Sequence, residues 1–173
     1  RGDHDEARAA ADRAYDWTRR ARVVGYMWHP TLTALAEVYL DLWEHRGADA
    51  PGDLTDAAAG AVKLLAGFTQ MYPFARPSWQ IALGRQKRLA GHSGEASYDR
   101  ALVEAERLTM PFEEASARTL LATNGAPDAV AHLHTAADLF QKMGCTRELL
   151  RVRDEEERRG ALHAPASAHS LTG

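Results

Sequence analysis

The residues that could do chemistry are few and poorly spaced for it. His132 and His134 lie two apart in a helical stretch. Side chains two apart on a helix point in different directions, so the pair cannot hold one metal ion from one face. No His-Glu-x-x-His occurs. Cys145 stands between a helix-ending Gly144 and a helix start, a position that can lower a thiol pKa. No His–Asp or His–Asn arrangement accompanies it, so a plain small residue is the expectation. Gly91-x-x-Gly94 lacks the Lys-Ser/Thr of a phosphate-binding loop and reads as a turn. The run Asp154 to Glu157, flanked by Arg151, Arg153, Arg158 and Arg159, offers i,i+4 pairs such as Asp154–Arg158 and Glu155–Arg159. Such a run reads as a solvated face. The expectation is a chain with no catalysis of its own, no cofactor and no metal. Trp17, Trp28, Trp43 and Trp79 are read as core or inter-repeat packing, with a partner-facing role as the alternative.

The elements that must position these residues follow from composition. Of 173 residues, 33 are Ala and 19 Leu, whereas Val and Ile together supply 8. Sandwiches, barrels and parallel sheets need β-branched strands, so all three are excluded. Ala and Leu lead the helix propensities. The net charge of −3 comes without a basic stripe, so this segment alone is not expected to bind nucleic acid. No apolar run approaches the roughly 18 residues of a membrane span. One cysteine fits a reducing cytoplasm. The chain begins Arg1-Gly2-Asp3, which matches a cell-adhesion triplet by chance and suggests a piece of something longer.

Breaks at Gly25, Pro30, Gly47–Gly52, Pro73–Pro77, Gly91–Gly94, Met110–Pro111, Asn124–Gly125 and Gly144 divide the chain into eight helices. The predicted spans are Asp3–Arg22, Thr31–Arg46, Asp53–Met71, Ser78–Ala90, Glu95–Thr109, Pro111–Asn124, Pro127–Met143 and Thr146–Gly160. Asp53 or Thr55 is expected to cap the third and Thr146 the last. Residues 1–160 form one helical domain in this reading. Residues 161–173, small and polar, read as a disordered tail or linker.

A 35-residue offset relates Ala82 to Ala117, Gly94 to Ala129 and Ala101 to Ala136. Each set has internal spacings of 12 and 7. Two helices approach closely only where both present small side chains. The pattern resembles a tetratricopeptide-like repeat, whose hairpins are about 34 residues long. Leu32, Leu35, Ala36 and Tyr39 match the large–x2–Leu–small–x2–Tyr pattern of its first helix. The N-terminal helix, with Ala11 and Ala14, is similar to a second helix lacking its partner. Arg85 departs from the pattern where an aromatic is expected. An irregular helical bundle is the competing reading.

The segments Ala105–Glu113, Ala115–Leu121 and Ala136–Cys145 also resemble the repeat tails of large bacterial signalling proteins. Among these are LuxR-type regulators with a nucleotide-binding switch module, and adenylate cyclases or Ser/Thr kinases with the same tail. Ser170-Leu171-Thr172-Gly173 is similar to the opening of the regulators' DNA-binding helix-turn-helix.

That resemblance implies an all-α solenoid of about eight antiparallel helices in degenerate hairpins. It implies a cytoplasmic, non-catalytic interaction or sensor domain. Its partner would be a protein or peptide segment, neighbouring domains of the parent chain, or a small inducer. A stand-alone adaptor and a small helical enzyme are the rivals. The concave surface implied by matched motif comprises Glu37 and Leu40, then Trp79, Leu83 and Lys87, then Arg118 and Leu121. Trp79 would be the apolar anchor, and Lys87 and Arg118 would meet carboxylates.

Overall fold

A computed structural model describes residues 3–21 and 25–163, with side chains through Arg159. Arg1 and Gly2 of the adhesion-like triplet, and residues 164–173 of the expected tail, lie outside the described residues. Among those described there are eight α-helices and no strand. They are α1 (His4–Arg20), α2 (Trp28–Arg46), α3 (Gly52–Met71), α4 (Arg76–Leu89), α5 (Glu95–Leu108), α6 (Pro111–Thr123), α7 (Ala129–Met143) and α8 (Thr146–His163). Single 3₁₀ turns, Gly47–Asp49 and Pro73–Ala75, precede α3 and α4.

The helix ends follow local chemistry, with some corrections. Asp3 caps α1, its Oδ1 accepting from the N–H groups of Asp5 and Glu6 at 3.1 and 3.2 Å. Helix α2 starts at Trp28 rather than Thr31, because Pro30 fits a first turn, where its missing N–H costs nothing. Neither Asp53 nor Thr55 caps α3. Pro51 holds the cap position, and the Thr55 hydroxyl donates back to the Gly52 carbonyl. Asp53 instead accepts a 3.0 Å hydrogen bond from Arg8 of α1. Thr146 does not cap α8 with its side chain either; its hydroxyl donates to the Gly144 carbonyl. Helix α8 continues through Gly160 to His163. Glycine costs a helix only about 1 kcal/mol relative to Ala, and Ala161 and Leu162 are good helix formers.

Gly144 (φ 70°) and Gly125 (φ 89°) take the left-handed conformation expected of them. Thr109 adopts it without being glycine (φ 55°). The Met110 N–H closes the turn on the Ala105 carbonyl at 2.9 Å, and Pro111 then starts α6.

Each helix packs on its successor, and α2 and α4, and α4 and α6, also touch. One core cluster joins α1 to α4 around Leu32, Ala36, Tyr39, Leu40 and Leu65; a second joins α6 to α8 around Leu133, Phe140 and Val152. Tyr39 is fully buried and donates to Asp12 Oδ1 at 2.7 Å, tying α2 to α1. The small residues of the 35-residue offset are all buried: Ala82, Gly94, Ala101, Ala117, Ala129 and Ala136. At Gly94 the reason is visible. A Cβ there would stand 2.5 Å from the Gly84 carbonyl oxygen. A Cβ on Gly84 would stand 2.3 Å from the ring of Tyr98, itself fully buried. Helices α4 and α5 therefore meet backbone to backbone.

The first helix, packed on α2 and touching α3, leaves an apolar side chain exposed. Trp17 is 61% exposed and stacks on Trp28 with ring centroids 5.1 Å apart.

Candidate functional site: a cleft between alternate helices

Three helices that are not consecutive in sequence, α2, α4 and α6, line a narrow cleft. Thr33 and Glu37 come from α2, Ser78, Ile81 and Arg85 from α4, and Phe112, Glu113 and Ser116 from α6. The spacing is helical on every wall: 33 and 37; 78, 81 and 85; 112 and 116. The cavity measures about 40 Å³. Cofactor and drug-like sites need roughly 300–1,000 Å³, so this one admits only the end of a side chain. A wider groove of about 660 Å³ lies between α1, α2 and α3, with Leu32, Leu64 and Phe68 among its lining and Arg19 and Lys63 its cations.

A hydrogen-bonded line crosses one wall of the cleft. The Ser78 hydroxyl donates to Glu113 Oε1 at 3.2 Å, and His29 Nε2 lies 3.0 Å from Ser78 Oγ. Ser78 has a single proton and gives it to Glu113, so Nε2 of His29 is the donor to Ser78. This order differs from a Ser–His–acid relay, in which the histidine must accept the serine proton. His29 is wedged between Phe68 and Phe74, with ring centroids at 6.4 and 5.2 Å. Burial holds its pKa below the ordinary value, against the opposing pull of Glu113.

The opposite wall is an ion-pair cluster. Arg85, where the repeat pattern expects an aromatic, donates to Asp41 at 2.7 Å and to Glu44 at 2.9 Å, both on α2. Arg88 pairs with Glu44 as well. The departure at residue 85 is thus a cross-helix clamp. Glu37 lies one turn along α2 and, among the described residues, has no hydrogen-bond or ion-pair partner. Glu37 is exposed as a residue, while protein around its carboxyl partly desolvates it. That desolvation pushes its pKa up; Arg85 opposes the shift, and Asp41, Glu113 and Glu148 add to it. The Thr33 hydroxyl, on the same wall, is buried without a partner.

Of the residues expected on the concave surface, only Glu37 lines this cleft. Leu40 and Leu121 are core residues, 0% and 3% exposed, and can contribute to no surface. Trp79 and Leu83 are half-buried and pack on the first core cluster. Lys87 turns toward α5 and donates to Ser97 at 3.2 Å. Arg118 is held by Glu106 at 2.6 Å and Glu114 at 2.9 Å, so it is not available to a partner's carboxylate. The reason is angular. On α4 the residues facing the cleft are 78, 81, 82 and 85, so 79 and 83 are turned one residue, about 100°, away from it and 87 two residues. Sequence reasoning missed His29, Ser78, Arg85 and Glu113 as a group. A signal was present: Ser78 and Glu113 stand at the same 35-residue offset as the small residues.

The other candidates behave as structural residues. Cys145 is partly buried against the second core cluster. His134 lies 3.6 Å from Glu156, and no group of three His, Cys, Asp or Glu residues converges among the described residues. Asp154–Arg158 and Glu155–Arg159 pair at 3.4 and 2.8 Å. Arg159 also reaches the Ala122 carbonyl at 2.7 Å, closing the end of α6, so this run is not wholly a solvated face. No helix among the described residues is long and apolar enough to cross a membrane. Compared with protein-family models, with curated proteins and with solved structures, the chain matches none of them.

Proposed function

We propose that the chain is a non-catalytic helical-repeat interaction domain that receives a polypeptide segment on the face made by α2, α4 and α6. The observation that carries this reading is the convergence of alternate helices on one cleft. In a stack of helical hairpins the first helix of each hairpin lines a common face, and successive first helices touch. Contacts between α2 and α4, and between α4 and α6, fit that order, with α2/α3, α4/α5 and α6/α7 as the hairpins. So does the burial of every small residue at the 35-residue offset. The arrangement is then a short α-solenoid of degenerate tetratricopeptide-like hairpins, α1 being the second helix of an incomplete one.

The parent we propose is a cytoplasmic bacterial signalling protein, a LuxR-type transcriptional regulator or a relative with the same tail. Support for that comes from the resemblance of residues 105–145 alone. At about 40 Å³ this cleft is too small for an inducer, so the partner on this face is a protein segment.

Panning a random heptapeptide library against the immobilised 173-residue chain tests the binding surface. Retained peptides should lose binding to a Ser116→Trp variant, whose indole fills the cleft. Retention on both proteins alike would move the binding surface elsewhere and refute the reading.

A further inference from the structure

We infer that the cleft between α2, α4 and α6 is a socket for one cationic side chain, lysine or arginine, of the bound polypeptide. This rests on the proposed interaction role and adds the chemistry of the partner.

Charge complementarity makes the first argument. The lining carries two carboxylates, Glu37 on α2 and Glu113 on α6, and one cation, Arg85 on α4; Arg85 and its neighbour Arg88 pair with Asp41 and Glu44 beyond the cleft. Glu148 of α8 adds its field at Glu37. Both arginines are already engaged by Asp41 and Glu44. Glu37 and Glu113 are left without a cation among the described residues. A half-enclosed carboxylate with three acidic neighbours and one spent arginine is destabilised by its surroundings. Perturbed carboxylates cluster at functional sites, and an incoming cation would supply the missing charge.

A second, independent observation is the orphan Thr33 hydroxyl, buried in the same wall with no partner. A buried hydroxyl without a hydrogen bond is costly, and an incoming N–H donor would satisfy it. Size and lining make the third argument. About 40 Å³ holds an ammonium or guanidinium head, and Ile81 and Phe112 at the walls suit the methylene stem behind it. Phe112 is 41% exposed, so its ring is within reach of an arriving side chain. A hard metal ion is the wrong cation here, since calcium takes six to eight oxygens and the cleft has two free carboxylates.

The test uses peptides selected from the heptapeptide library, bound to the full 173-residue chain and followed by fluorescence anisotropy. Selected peptides should share an Arg or Lys. Replacing that Arg with citrulline, or acetylating that Lys, keeps the shape and removes the charge, and should weaken binding at least tenfold. Glu37→Gln should weaken it by a similar factor, while Lys87→Ala leaves it unchanged. The melting temperature of the Glu37→Gln variant should equal or exceed that of the wild type, which separates lost binding from lost fold. Equal binding by the citrulline or acetyl-lysine peptide, or by Glu37→Gln, would overturn the socket. Peptides blocked by Ser116→Trp that carry no cation would overturn it too, and would leave the interaction surface standing. A library that yields no binder would overturn both.

Discussion

Replacing Gly94 with alanine probes a backbone-to-backbone approach between α4 and the start of α5. The repeat alignment makes this change look harmless, because the equivalent position 35 residues later is Ala129. The structure says otherwise. A Cβ on Gly94 meets the Gly84 carbonyl oxygen at 2.5 Å and its carbon at 3.0 Å. Ordinary contact begins near 3.4 Å, and the opposing atoms are backbone, which cannot rotate away. The fully buried Tyr98 ring, 3.0 Å from the same Cβ, blocks movement on another side. Helix α4 must therefore part from α5 by the better part of an ångström. Overpacking of this kind costs about 1–3 kcal/mol, and the rigid partner places Gly94→Ala at the upper end. Gly94 has φ −92°, so no left-handed strain contributes and the whole effect is steric. Gly67→Ala is the matched control. It lies inside α3 with nothing within 4 Å of its Cβ, so alanine should stabilise by about 0.5–1 kcal/mol. In a domain of this size 1 kcal/mol moves the melting temperature by roughly 2–4 °C. Thermal melts followed by circular dichroism should thus show Gly94→Ala lower by about 4–12 °C and Gly67→Ala slightly higher. A Gly94→Ala protein as stable as the parent would refute the α4–α5 geometry.

Three further outcomes follow from other parts of the fold. Ala101→Leu or Ala136→Leu should lower the urea midpoint by an amount equivalent to about 1–3 kcal/mol, since both positions are fully buried; midpoints unchanged for both would break the 35-residue register. Thr109→Gly should raise stability by roughly 0.5–1 kcal/mol, the relief of a left-handed β-branched residue less the added entropy of glycine; a lower melting temperature would show that the threonine side chain stabilises the turn. His29 should make the fold acid-sensitive. Its folded pKa is depressed, so the unfolded chain binds the proton more readily, and stability should fall as pH drops below about 6.5. A His29→Gln variant should lose that part of the slope in urea titrations between pH 7.5 and 5, and an identical slope would assign the acid sensitivity to other groups.

The division between what the sequence decided and what it did not is clear at particular residues. Excess Ala and Leu, with punctuating Gly and Pro, determined the eight helices among the described residues and most of their ends, because propensity and chain breaking are local. The 35-residue offset picked out buried small residues, because close approach leaves a compositional trace. Periodicity could not set the rotation of α4 or α6 to within one residue. Trp79 and Leu83 fall one residue, about 100°, and Lys87 and Arg118 two residues from the nearest lining positions, while Ser78, Arg85 and Glu113 went unseen. Leu40 and Leu121 illustrate the same limit, since an apolar residue on a helix looks alike whether it faces core or groove. Tertiary structure alone decided the charge of the site. Arg85 and Arg88 are free cations in the sequence, and only the packing of α4 on α2 engages them with Asp41 and Glu44. The cleft lining therefore holds two carboxylates, Glu37 and Glu113, and one arginine already engaged. Charges act through space over a few ångströms, and residues 37, 85 and 113 become neighbours only when three helices are laid side by side.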